Sequence, residues 1–219
     1  MFRRSRVSSS NLSALEMARI AVVLMNLGGP DAPDAVEPFL YNLFSDPAII
    51  RLPGLLRLPL ARVVAWRRAR VARDIYERLG GSSPLLANTE AQARALEAAL
   101  DAEHRCFIAM RYWRPTSLEA AAEVAPWSPD KIVCLPLYPQ FSTTTTASSL
   151  AAWRRAAARC GIDRPTQTVC CYAAVEGFIK ALAGLIRPVL DRVAGQERLP
   201  RLLLTAHGLP KKIVRQGDP

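Results

Sequence analysis

The reading of the fold starts from "RIAVVLMNLGGP", residues 19–30. Its apolar run is too short for a long helix and carries no polar alternation, as expected of a strand buried on both faces of a parallel sheet. The strand, 19–27, ends at Asn26-Leu27-Gly28-Gly29-Pro30. Two glycines there permit a tight turn and close approach of a ligand to the backbone. The spacing is neither GxGxxG nor a P-loop, so it does not predict a dinucleotide site. Outward from this stretch, similar runs predict strands at 106–113, 131–137, 166–172 and 201–205. Helical patterns fall at 33–44, 63–79, 89–102, 117–124, 147–160 and 177–193, the last with a kink at Pro188. Strands alternating with helices imply right-handed crossovers and a mainly parallel α/β sheet, with ligands outside the carboxyl ends of the strands.

With 219 residues, half of them hydrophobic, the chain can bury a core. No window reaches the roughly 18 uninterrupted apolar residues of a membrane span. Five cysteines, without metal-site spacing, read as reduced, buried thiols. The first residues, "MFRRSRVSSSNLSALE", are basic and Ser-rich, but a strand begins directly after Met17, so they read as an extended start rather than a targeting signal. The net charge of +10 is uneven: 47–73 holds seven arginines and no acid, interleaved with Leu, Val and Trp66. Such a stretch suits an anionic partner: nucleic acid, an anionic membrane surface or a carboxylated ligand. No RNP-type aromatic pattern, zinc finger or Gly/Arg repeat accompanies it, so nucleic acid is not the expected partner.

The strand tips hold the candidate chemistry. "MRYWRP", 110–115, puts Arg111 beside Tyr112 and Trp113, which either clamps a flat anionic ligand or simply caps the core. "LPLYPQFSTTTTASS", 135–149, leads into a helix, and Ser142 to Thr146 can supply its N-cap. "GGSSP", 80–84, is a helix end and turn that also offers Ser83 to a carboxylate. Of the two histidines, His104 sits near a helix end, where a cation offsets the dipole. His207 follows "LLLTA" at a strand tip and is the candidate metal ligand or base, since a neutral imidazole does either.

Taken in order, "VVLMNLGGPDAPDAVEPFLYNLFSDPAII", "IYERLGGSSPL", "MRYWRP", "LPLYPQFSTTTTASS" and "LLLTAHGLPKKIVRQGDP" closely resemble the ferrochelatase family, over residues 20–219. The resemblance implies a class II chelatase fold: two similar Rossmann-like domains of parallel sheet flanked by helices, with a porphyrin cleft between them. It implies an extended terminus over 1–18, a first domain over 19–164, and a second that starts at 165 and is incomplete. The implied reaction is insertion of ferrous iron, a substrate, into protoporphyrin IX to give protohaem; the alternative is a porphyrin-binding fragment without activity.

Residue by residue, the resemblance makes His207 the cleft histidine that binds the incoming metal or takes pyrrole protons. Arg111 and Tyr112 line the cleft with catalytic roles, and Arg68, Tyr76 and Ser83 hold the porphyrin and its propionates. Leu27 stands where some members carry a methionine facing the ring, and where coproporphyrin-using members carry a tyrosine; an aliphatic residue there favours protoporphyrin IX. Thr143 replaces the cysteine of animal members, so no iron–sulfur cluster is expected. The arginine-rich stretch matches the cleft lip thought to rest on a membrane, which implies a cytoplasmic protein with peripheral contact at the inner membrane.

Overall fold

The computed structural model describes residues 18–194 and 201–218. The extension expected over 1–18 lies, apart from Ala18, outside them. Strand β1 (Ile20–Asn26) is central in a four-stranded parallel sheet of order β2-β1-β3-β4, with β2 at His104–Met110, β3 at Lys131–Pro136 and β4 at Thr166–Thr168. This is the α/β architecture expected of a class II chelatase.

The uniform apolarity of β1 is explained by burial on both faces. Ala21, Val23 and Met25 pack with Phe107, Ile132 and Trp153 under α4 (Ser117–Trp127) and α5 (Thr146–Arg159). Val22 and Leu24 point the other way and pack with Ala93 of α3 (Leu85–Ala99). Each such Val or Leu side chain removed from water contributes about 1.5–3 kcal/mol. Thr116 starts α4 with a capping box: its hydroxyl accepts from the Glu119 N–H, and Glu119 accepts from the Thr116 N–H.

A second apolar layer lies beyond the strand tips. A 3₁₀ turn (Pro33–Ala35) leads into α1 (Val36–Phe44), and α2 (Gly54–Arg78) packs on α1 through buried Ala61, Ala65 and Ala69. Helix α2 starts nine residues earlier than the pattern at 63–79 predicts, and carries Pro59 inside its N-terminal part.

The structure corrects the expectations downstream. Strand β4 covers three exposed residues rather than 166–172, and 201–205 forms no strand. Leu203 and Leu204 are 83% and 84% exposed. An apolar run reads as a strand, but a strand needs a ladder partner for its N–H and C=O groups, and none pairs with 201–205 among the described residues. Helix α6 (Glu176–Val193) forms as expected and runs through Pro188, with no residue buried. The cysteine expectation holds for Cys134, a buried free thiol, whereas Cys170 and Cys171 lie exposed just past β4 and are disulfide-bonded to each other. His104 opens β2, not a helix end, and pairs through Nδ1 with Asp101.

Candidate active site

The order β2-β1-β3 means that the chain leaves β1 towards one side of the sheet and returns on the other. The crevice at the carboxyl ends of β1 and β3 is therefore the switch point where ligands bind in open α/β sheets. Three stretches meet there. The β1 turn receives the β2 exit through backbone bonds, Arg111 N–H to the Asn26 carbonyl at 2.8 Å and Tyr112 N–H to the Leu27 carbonyl at 2.9 Å. Gly28 has φ of 83°, and a Cβ on it would meet the Trp113 nitrogen at 2.9 Å. A Cβ on Gly29 would run into the Ser83 side chain, and the Ser83 N–H donates to the Pro30 carbonyl at 2.8 Å. The Gly-Gly turn thus lets "GGSSP" and "MRYWRP" close on the tip of β1.

At its centre is a residue the sequence reading did not single out. Asp46, 4% exposed, accepts through Oδ2 from Arg111 Nη2 at 2.6 Å, the Tyr112 hydroxyl at 2.9 Å and the Ser148 hydroxyl, and through Oδ1 from the Ala48 N–H at 2.8 Å. Arg111 Nε donates in turn to Ser148 Oγ at 2.7 Å. Burial pushes the Asp46 carboxyl up, but the bonds from Ser148 and Ala48, the Arg111 guanidinium and the Tyr112 hydroxyl outweigh it and hold the group below its ordinary value. Tyr112 goes the other way: burial first, then the Asp46 charge, push its phenol up, so it stays a neutral donor. Ionised aspartate, guanidinium and two hydroxyls form a hydrogen-bonded unit that holds Arg111 in one orientation. A cavity of about 550 Å³ opens beside it, lined also by Arg155 and Arg159. The signal for Asp46 in "SDPA" is one that turn residues also give, because its Oδ1 does make a local turn with Ala48.

The other expected site residues fall as follows. Leu27, Tyr76, Tyr112 and Trp113 share one apolar cluster with Val36, Phe39 and Leu40. Burial raises the Tyr76 phenol, and the Ser83 hydroxyl accepts from the Leu85 N–H at 3.3 Å. Arg68 is exposed on α2, its guanidinium 5.7 Å from the Phe44 ring centre. His207 is exposed in a stretch without regular structure, 201–210. The structure therefore gathers Leu27, Tyr76, Ser83, Arg111 and Tyr112 and leaves Arg68 and His207 at the surface.

The expected cap of α5 takes a different form. Its N-cap, Thr145, makes no side-chain cap bond. The preceding hydroxyls are engaged with one another and with Asp218: Ser142 Oγ pairs with Thr144 Oγ1 at 2.8 Å, and Asp218 Oδ2 accepts from Ser142 Oγ at 2.9 Å and the Thr143 N–H at 2.7 Å.

Comparison with known proteins gives the family of the chain. The family profile described as Ferrochelatase matches residues 19–219. A protein named Ferrochelatase from Phenylobacterium zucineum is 55% identical over 206 residues, covering 92% of this chain and 59% of the relative. One of the same name from Caulobacter vibrioides is 53% identical over 92% of this chain and 58% of its own length. Another, from Pelagibacter ubique, is 44% identical over 91% and 58%. The chain thus spans about three fifths of the length of the curated relatives it matches. By profile, identity and fold, it belongs to the ferrochelatase family.

Proposed function

We propose that this chain supplies the first domain, and the beginning of the second, of an enzyme that inserts ferrous iron into protoporphyrin IX to give protohaem. The boundaries we assign are 19–164 and 165–219. The observation that carries this reading is the meeting of Leu27, Ser83, Arg111 and Tyr112 around the turn at the tip of β1, in a chain of this family. Leu27 offers an aliphatic surface to a flat macrocycle. Ser83 and the arginines, Arg68 among them, suit propionates, and Tyr76 packs within the apolar cluster beneath.

Metallation removes two N–H protons from the ring while the metal is delivered from water, so one face needs a group that binds the ion or accepts a proton. His207 is that group in our reading. Arg111 keeps Nη1 uncommitted among the described residues, while Ser148 and Asp46 bind its Nε and Nη2 and the Tyr112 ring lies under the guanidinium. A positive group held without reorganisation can orient a carboxylated substrate at little further entropic cost. Thr143, whose hydroxyl bonds to Asp218, gives no thiolate for an iron–sulfur cluster.

Membrane contact is supported by the outer face of α2. Leu55, Leu56, Val63 and Trp66 are 92%, 62%, 51% and 66% exposed there, among Arg62, Arg67 and Arg70. Apolar side chains entering the interface while arginines meet lipid phosphate is the pattern of a peripheral helix. No helix among the described residues is long and apolar enough to cross a membrane. Our reading, from the family resemblance and the exposed face of α2, is a protein of the cytoplasm, peripheral at the inner membrane.

The test is anaerobic insertion of Fe(II), or of Zn(II) as a fluorescent surrogate, into protoporphyrin IX by the purified chain, with sirohydrochlorin and Co(II) as the competing pair. Turnover with protoporphyrin that is lost in His207→Ala is the expected result. A shift of the porphyrin absorption band without turnover would reduce the role to binding, and turnover unaffected by His207→Ala would remove the histidine from the mechanism.

A further inference from the structure

We propose that Asp218 is a positioning residue for His207, its carboxylate fastening the histidine-bearing segment to the exit loop of β3. The inference rests on the assignment of His207 above. Asp218 is 4% exposed although 201–212 are exposed throughout, so a single carboxylate at the far end of the segment is its buried anchor. Oδ2 accepts from the Ser142 hydroxyl, the Thr143 N–H and, at 2.5 Å, the Thr143 hydroxyl. Burial works against the charge, but these bonds hold the carboxyl below its ordinary value, so the anchor is ionised at neutral pH. A second tie joins the Gln216 side chain to Arg51 Nη1.

Local geometry carries the anchor back towards the histidine. Helix α7 (Lys211–Arg215) closes with Gly217 N–H to the Val214 carbonyl at 3.1 Å and Asp218 N–H to the Ile213 carbonyl at 3.4 Å, with φ of 91° at Gly217. That pair of bonds around a left-handed glycine is a Schellman stop, which fixes the Asp218 backbone rigidly to α7. At its other end α7 begins after Pro210, so only Gly208 and Leu209 separate His207 from the proline that precedes the helix. The loop that receives the anchor follows β3 at the switch point and runs into α5, which carries Ser148 of the Asp46–Arg111 unit. Asp218 therefore ties the segment of the proposed base to the element that supports the guanidinium.

Hydrogen exchange on the whole chain, read at the Thr143 amide and across 211–217, tests the anchor itself. With Asp218→Ala, exchange of these amides should rise at least about tenfold, the loss expected for bonds to a charged acceptor. Asp218→Asn, which keeps an acceptor oxygen, should restore part of the protection. Unchanged exchange in Asp218→Ala overturns the proposal. Metal insertion tests the consequence: kcat for Zn(II) should fall about ten- to a hundredfold with the protoporphyrin KM unchanged. A rise in KM with kcat retained would overturn the positioning role and make Asp218 part of the porphyrin seat. If the wild-type chain inserts no metal, the functional assignment fails, and exchange alone then decides whether the anchor exists.

Discussion

The two aspartates that anchor this molecule, Asp46 and Asp218, are equally buried and differently embedded. Asp46 sits among α1, α5 and the β2 exit, takes a guanidinium and two hydroxyls, and has both oxygens engaged. Asp218 joins an otherwise exposed segment to one loop, and its Oδ1 has no partner among the described residues. The difference separates a carboxylate that belongs to a folded core from one that fastens an appendage. Removing the first should be felt by the whole domain, and removing the second only locally.

The largest effect expected follows from that contrast. Asp46→Ala leaves the Arg111 guanidinium partly buried and unpaired, and should destabilise the chain by about 3–5 kcal/mol in urea unfolding. A loss below about 1 kcal/mol would mean that water satisfies Arg111 and that the unit is not a core element. Trp153→Ala, at a side chain 1% exposed between sheet and α5, should cost about 3–5 kcal/mol. Acid should single out the same unit. Asp46 is held below its ordinary value, so its stabilisation is full above about pH 4, the unfolded carboxylate range, and is lost as pH falls through the lower folded value. Unfolding free energy measured between pH 5 and pH 2 should therefore fall less steeply in Asp46→Asn than in the wild type. Gly28→Ala should cost about 1–3 kcal/mol, since it forces an L residue to φ of 83° against the Trp113 nitrogen. At the small end, Leu185→Ala on α6, 74% exposed, should stay within about 0.5 kcal/mol. A larger loss there would show that α6 packs on something in solution.

Legibility in the sequence follows the same division. Strand β1 was readable because burial on both faces leaves an unbroken apolar run; β3 was readable from a shorter run buried on one face, and the edge strand β2 was found but runs 104–110 rather than 106–113. Leu27, Ser83, Arg111 and Tyr112 stand at strand or helix ends, where residue types alone left capping and binding open; the family resemblance singled them out, and the structure brings them together at the tip of β1. Asp46 and Asp218 were not, because a carboxylate in a "SDPA" or "GDP" turn has the composition of any solvated turn, and what distinguishes it comes from partners as far off as Ser148 and Ser142. The run at 201–205 misled for the opposite reason. Its composition is that of a strand, but pairing is a property of neighbours, and composition says nothing of them. Likewise the adjacent pair Cys170 and Cys171 was read with the buried thiols because its flanks are apolar, whereas it lies exposed past a three-residue strand.

The alanine seam of α2 has one more consequence. Because Ala61, Ala65 and Ala69 are the buried residues of α2, the helix meets α1 closely through small side chains, with Ala72 and Tyr76 at the edge of the same cluster, and carries much of its bulk and charge outward. Attachment and exterior are thus encoded by separate, interleaved positions of one helix. The most exposed outer residues, Leu55, Leu56 and Trp66, can be exchanged, making the surface proposed for lipid contact inert, without repacking the alanine seam. In this sense α2 is a replaceable sole on a fixed last.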